Sequence, residues 1–186
     1  MRKGEGSAQF GESRATASLD LDGAGIADVS SGSGFLDHML RAFTRTGLID
    51  LQARAEGSLF RAQTLGSAIG AALDGALAER KGIRRYGSAA IPMDEALAEV
   101  ALDFSGRPYL ILAGIFRGER VGDFELQEVK AFLEALSTRA RVTLHIRFSG
   151  KNDHHQVESI FKALGMAIRQ AVAREGDGVP STKGVI

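Results

Sequence analysis

The chain of 186 residues is long enough for one domain or two fused small ones, and a chain of this size buries roughly 70% of its unfolded surface. With 44% hydrophobic and 25% charged residues and no apolar run approaching ~18 residues, the composition is that of a soluble globular protein and excludes both disorder and a membrane-spanning helix. Lys plus Arg balance Asp plus Glu at 23 each and there is no cysteine, so no net field favours nucleic acid or an anionic membrane, and any metal must be held by His, Asp or Glu.

The opening MRKGEGSAQFGES has no apolar segment, which makes the cytoplasm the expected location. Residues 8–21 alternate weakly and end at Asp22-Gly23, predicting a strand that pairs as a hairpin with a short strand from Ile26 to Val29. After SSGSG, the residues Phe35, Leu36, Met39, Leu40 and Phe43 fall on one helical face that Gly47 terminates. LIDLQARAEG reads as a strand, and the Ala- and Leu-rich stretch from Thr64 to Arg80 as a helix closed by Lys81-Gly82. Two long strands are expected next, SAAIPMDEALAEVALDFSG and RPYLILAGIF, separated at Gly106-Arg107-Pro108 and followed by the helix VGDFELQEVKAFLEAL. VTLHIRFSG alternates as a strand, and Ile160, Phe161, Leu164, Ile168 and Val172 form the apolar face of a helix from Asp153 to about Arg174.

This order of strand, strand, helix, strand, helix occurs twice. Phe35-Leu36 aligns with Phe132-Leu133; LQARAEG aligns with LHIRFSG at an offset of 93 residues (57 to 150), and SAIGAAL with KALGMAI at 95 (70 to 165). The expected architecture is therefore an internally duplicated α+β fold of β-β-α-β-α units, residues 1–87 and 88–186, with two antiparallel sheets and helices packed on one face.

Three of the four histidines lie within eleven residues: His145 on a strand, then His154 and His155 at a helix start. Glu158 follows four residues after His154 and three after His155, so the three side chains share about one turn of surface, which is metal-ligand spacing. Imidazole and carboxylate without thiolate suit Mn, Fe, Zn or Ni. The same residues also fit a plain capping cluster with Asn152 or Asp153 as N-cap. On the residues alone His145 also fits a satisfied core histidine, and His38, beside an apolar stripe, reads as structural more readily than as a ligand. Arg85, Arg107, Lys162, Ser181 and Lys183 form a basic and hydroxylic set able to converge on a phosphate.

Taken together, GFLDHML, KGIRRYG, PMDEAL, DFSGRPY, VGDFE, TLHIR, DHHQVESIFKAL and PSTKG resemble the imidazoleglycerol-phosphate dehydratase family of histidine biosynthesis, from about residue 5 to the end. The resemblance implies a duplicated α+β fold and a homo-oligomer built from trimers into a large octahedral shell. It also implies dehydration of a small phosphorylated imidazole substrate with a pair of Mn²⁺ ions, and no nucleic-acid or membrane partner. It assigns metal ligation to His38, His145, His154, His155 and Glu158, proton transfer to Glu12, and phosphate binding to Arg85, Arg107, Lys162, Ser181 and Lys183. With these roles, the half-site of His145, His154, His155 and Glu158 is expected close to an interface between subunits, with His38 the expected contributor from elsewhere in the assembly.

One departure stands against these matches. Family members carry a stretch like DLHIDDHHTVED before the first-half helix, where this chain reads EGSLFRAQTLG. The internal repeat agrees, for His154, His155 and Glu158 fall opposite Leu59, Phe60 and Gln63, and no histidine occurs in residues 39–144. Three readings stay open on the sequence: a dehydratase with an impaired metal site, a weak or inactive paralogue that binds metal or a phosphorylated ligand, and a related one-metal lyase.

Overall fold

The computed structural model describes residues 2–178 and Ser181. The first half runs β1 (Lys3–Phe10), β2 (Ser13–Asp20), β3 (Ala27–Ser30), α1 (Gly34–Gly47), β4 (Asp50–Glu56) and α2 (Arg61–Leu77). The second runs β5 (Tyr86–Met93), β6 (Ala96–Asp103), β7 (Tyr109–Ala113), the short ribbon β8 (Arg120–Val121) and β9 (Phe124–Glu125), then α3 (Gln127–Ala140), β10 (Thr143–Ser149) and α4 (Asp153–Ala171). The strand orders β1-β2-β4-β3 and β5-β6-β10-β7 trace the same path twice, so the α+β duplication holds at the level of topology. Within each sheet three strands are antiparallel and the edge strand, β3 or β7, runs parallel to its neighbour. A helix connects each parallel pair, as a same-direction crossover requires.

Several sequence expectations shift. The hairpin partner of β2 is β1, not β3, which instead lies parallel to β4. The first long strand of the second half folds back at Asp94-Glu95 into β5 and β6, with Asp94 in the left-handed region (φ 48). Across the turn the inward-facing set switches from Gly87, Ala89, Ile91 and Met93 to Ala96, Ala98, Val100 and Leu102, and the charged pair Asp94-Glu95 marks the break. Each half consequently has three strands of its main sheet before its first helix, to which the second half adds the β8–β9 ribbon. Helix α3 starts at Gln127 because the preceding residues form the ribbon, and α2 ends at Leu77, short of Arg80. Finally, α1 and α3, both 14 residues, correspond at an offset of 93; Met39-Leu40, not Phe35-Leu36, is the counterpart of Phe132-Leu133, one helical turn from the sequence match.

Strand alternation decides which faces are covered. In β2, Ser13, Ala15, Ala17 and Leu19 are buried, and in β10 Leu144, Ile146 and Phe148, while the residues between them face outward. Helix α2 covers β1 and β2, α4 covers β5 and β6, and the helices meet across halves, α2 on α3 and α1 on α4. The four helices thus lie between the two sheets in one continuous hydrophobic core.

Glycines set the spacing of these layers in symmetric pairs. A Cβ on Gly4 of β1 would meet the carbonyl oxygen of Ala72 in α2, and one on Gly87 of β5 would meet that of Ala167 in α4. Likewise Gly70 of α2 lies against Leu136 O of α3, and Gly165 of α4 against Phe43 O of α1. These are backbone-to-backbone approaches that no L side chain permits. A second tie is Arg80, 1% exposed, which pairs with Asp74 and donates to the carbonyls of Ala140 (2.9 Å), Arg141 (3.3 Å) and Phe104 (3.4 Å). It therefore joins the C-terminal ends of α2, α3 and β6 into one buried network.

Gly70→Ala and Gly165→Ala should each lower unfolding free energy by ~1–3 kcal/mol through overpacking against a rigid carbonyl. Gly34→Ala, at a position with open space, should not be destabilising. Urea denaturation of the three variants checks the contrast.

Candidate metal centre

Helix α1 starts at an N-cap, Ser33, whose hydroxyl accepts from Leu36 N, and carries His38 in its second turn. Helix α4 starts at Asn152, whose side chain accepts from His154 N at 2.9 Å. Capping is thus performed by Asn152 and leaves the imidazoles of His154 and His155 for other partners. Because α1 packs on α4, His38 Nε2 lies 3.2 Å and His154 Nε2 3.1 Å from the same Glu158 oxygen, Oε2. Ligand atoms of His38, His154 and Glu158 all lie within 4.8 Å of one another. Two imidazole nitrogens converging on one carboxylate oxygen form a geometry in which a divalent cation can replace the bridging protons.

The carboxylate is 8% exposed, and its other oxygen accepts from Lys162 Nζ at 2.7 Å. Burial alone would raise the Glu158 pKa, but the Lys162 hydrogen bond and charge, with His38, outweigh it and hold the group below its ordinary value. Phe35 stands edge-on to His154 with ring centroids 5.2 Å apart, shielding one side of the imidazole.

His155 faces a different partner. Its Nδ1 lies 2.9 Å from Glu95 Oε2 in the β5–β6 turn, and Glu95 Oε1 also accepts from Lys151 N (2.9 Å) and Asn152 N (2.7 Å). The His155 hydrogen bond, followed by those two amides, lowers Glu95 from 4.5 to about 2, and Glu95 in turn raises His155 above its ordinary value. A carboxylate on one ring nitrogen orients the imidazole, and its Nε2 lies 3.7 Å from Asp94 Oδ2. Glu95 escaped the sequence reading; the signal available was the offset of 83 residues that relates Gly4 to Gly87 and Glu12 to Glu95. Glu12 is exposed at the β1–β2 turn, equivalent to the turn that holds Glu95.

The expected grouping of His145 with His154, His155 and Glu158, completed by His38 from elsewhere, is corrected within one chain. His38 is the same-chain partner of His154 and Glu158, whereas His145 projects from the outer face of the second sheet, opposite Ile111 of β7. The reason is strand parity, since Leu144 and Ile146 take the core face.

At the first-half position equivalent to His154 and His155, the structure has no helical turn. Helix α2 starts only at Arg61, Phe60 is left-handed (φ 60) and provides no side-chain cap. Leu59 and Phe60 are 67% and 57% exposed, so they have not become packing residues. Of the phosphate candidates, Arg85 forms a two-point pair with Asp103 (2.6 and 3.0 Å) and lies over Tyr86, and Arg107 is exposed at the same end of the sheet. Ser181 is half-buried, and Lys183 lies outside the described residues. Among the described residues no helix is long and apolar enough to cross a membrane.

A family model described as imidazoleglycerol-phosphate dehydratase matches residues 31–168. A curated relative of that name from Methanosarcina barkeri is 46% identical over 191 aligned residues, covering all of both chains. One from Methanosarcina mazei is 48% identical over 173, covering 90% of this chain and 91% of the relative. The crystal structure of imidazoleglycerol-phosphate dehydratase from Staphylococcus aureus superposes with a TM-score of 0.83 at 36% identity, covering 91% of this chain and 99% of that one. The Pyrococcus furiosus structure gives 0.80 at 34%, covering 97% and 99%.

The Glu95–His155 pair carries a definite pH dependence in the cation-free protein. Glu95, lowered from 4.5 to about 2, contributes stability that is present above pH 4.5 and lost as the pH falls toward 2. His155, raised from 6.5, contributes stability that is present below 6.5 and lost as the pH climbs through its raised value. Glu95→Gln should therefore reduce the urea midpoint most between pH 4.5 and 6.5 and much less at pH 9. It should also return the His155 titration, followed by NMR, toward 6.5.

Proposed function

The chain belongs to the imidazoleglycerol-phosphate dehydratase family, and from that premise we propose that it is a carbon–oxygen hydro-lyase of histidine biosynthesis, converting imidazole glycerol phosphate to imidazole acetol phosphate in the cytoplasm with Mn²⁺. The observation that carries this reading is the His38–His154–Glu158 cluster. Its two nitrogens and one carboxylate oxygen fit a divalent cation of the Mn, Fe, Zn or Ni group. A cation bound there would act as a Lewis acid toward the imidazole ring of the substrate. The chain's own groups do the rest. Glu12 moves the proton whose removal lets the hydroxyl depart as water. Arg85, Arg107 and Lys162, with Ser181 and Lys183 of the tail, hold the phosphate. In this reading residues 1–87 and 88–186 are two half-repeats of one catalytic domain.

Distances along one helix support a homo-oligomer. Arg85 N bonds to Ala171 O at the C-terminal end of α4, whereas His154 is that helix's second residue. Seventeen residues at ~1.5 Å each separate metal cluster and arginines by about 26 Å, too far for one small substrate. In this reading groups from neighbouring copies complete each site. The outer faces of the sheets differ accordingly. The first presents Lys3, Glu5, Arg14, Thr16, Gln52 and Arg54, while the second exposes Tyr86, Leu97, Tyr109 and Ile111 among the polar Ser88, Glu99, His145 and Arg147, a mixed face with more exposed apolar surface than the first. Trimers joined into an octahedral shell are the assembly we infer.

The unwound turn at 58–60 favours a reduced metal complement. Leu59 and Phe60 cannot donate a lone pair, Gln63 provides a neutral oxygen, and identical neighbouring subunits cannot restore the missing groups. We therefore infer a single well-held cation per chain and slow turnover. The competing readings, a paralogue that only binds and a related one-metal lyase, rest on the same observation.

Metal analysis of purified protein should find about one Mn²⁺ per chain, and replacing residues 58–64 with a DLHIDDHHTVED-like segment should raise both cation content and dehydration rate. Native protein with two tightly held ions and turnover at ~1 s⁻¹ or faster would overturn the impaired-site reading, and absence of any dehydration in the repaired chain would overturn the activity itself. Glu158→Gln should abolish Mn²⁺ binding.

A further inference from the structure

The two halves differ most where β7 meets α3. In the first half β3 ends at Ser30 and α1 begins at Gly34; in the second β7 ends at Ala113 and α3 begins only at Gln127. The additional residues form an arm with the β8–β9 ribbon at its end, and the arm is fastened at two helix starts. At its base, Asp153, the first residue of α4, accepts from Arg117 N and Gly118 N, both at 2.8 Å. At its tip, Asp123 reaches the opposite half and accepts from Gly34 N (2.8 Å), Ser33 Oγ (3.0 Å) and Phe35 N (3.3 Å) at the start of α1. Burial opposes ionisation of Asp123, but the Gly34 amide, the Ser33 hydroxyl and the Phe35 amide outweigh it and keep the pKa low. The group therefore meets the helix as an anion, where the macrodipole favours one.

The arm also packs inward. Phe124, 2% exposed, lies 5.6 Å from the Phe35 ring, and Phe35 is the ring that stands edge-on to His154. The arm thus ties the beginning of the helix that carries His38 to the beginning of the helix that carries His154 and Glu158.

We propose that the 114–126 arm is a positioning clamp for the cation site, with Asp123 as its positioning residue, holding His38 in register with His154 and Glu158. This rests on the metal reading given above. Asp123 touches neither cation nor substrate; it acts through α1. Outer groups that orient metal ligands typically change affinity by ~10–100-fold, and a one-turn displacement of α1 would remove an entire ligand.

The test is Mn²⁺ titration of the full chain, followed by EPR, beside amide hydrogen exchange of the cation-free protein. Asp123→Ala should weaken Mn²⁺ binding by ~10-fold or more and accelerate exchange at Gly34 and Phe35. Asp123→Asn, which keeps one acceptor oxygen, should lie between Ala and wild type, and it decides the matter if the alanine variant does not fold. Gly70→Ala, destabilised at the distant α2–α3 contact, should retain wild-type affinity and so separates positioning from general loss of stability. Wild-type affinity in Asp123→Ala or, failing that, in Asp123→Asn would overturn the clamp alone. A wild-type chain that binds no Mn²⁺ would overturn the metal reading and the clamp with it.

Discussion

Helix α1 reaches α4 because Gly165 has no side chain. A Cβ there would collide with the carbonyl of Phe43, and that approach lets α1 lie close enough for His38 to share a carboxylate oxygen with His154. The cluster is therefore built across the two halves of the duplication, and neither half contains it alone. The matching contact, Gly70 against Leu136 O, seats α3 on α2. A pair of backbone contacts related by the internal repeat thus places all four helices, and every side chain in the candidate centre depends on one of them.

The duplication also shows where the two halves differ. Corresponding β-hairpin turns present Glu12 and Glu95, and corresponding helix starts follow them. In the second half the turn and the helix are joined, with Glu95 orienting His155 and receiving the amides of Lys151 and Asn152. In the first half the helix start is unwound, Phe60 stands where His155 would be, and Glu12 remains at an exposed turn. A carboxylate engaged with an imidazole is held in one ionisation state and one position. The exposed position of Glu12 suits the proton-transfer role proposed for it.

Charge is arranged economically around the buried carboxylate. Glu158 Oε2 faces two imidazoles while Oε1 is held by Lys162. The ammonium offsets the burial cost of the anion without occupying the side that faces the imidazoles. Arg80 and Asp74 meet a similar problem away from the site, where the two terminal nitrogens of a buried guanidinium are engaged by an acid and three carbonyl oxygens while Nε has no hydrogen-bond partner among the described residues.

The amino-acid sequence by itself determined the α+β class, the duplication, the order of the four helices with three of them placed within a few residues, and the chemistry of the candidate ligands. Those features rest on local periodicity and on residue types that no packing can alter: Leu144, Ile146 and Phe148 must face the core, and His154 and Glu158 must share a helix face. Only the tertiary structure decided which strand pairs with which, because β3 and β7 find partners through crossover connections and not through adjacent turns. It also decided that His38, and not His145, completes the same-chain cluster. Strand parity turns His145 outward, whereas the meeting of α1 and α4 across more than a hundred residues of sequence is fixed by a glycine and a backbone carbonyl, a contact with no hydrophobic pattern to announce it.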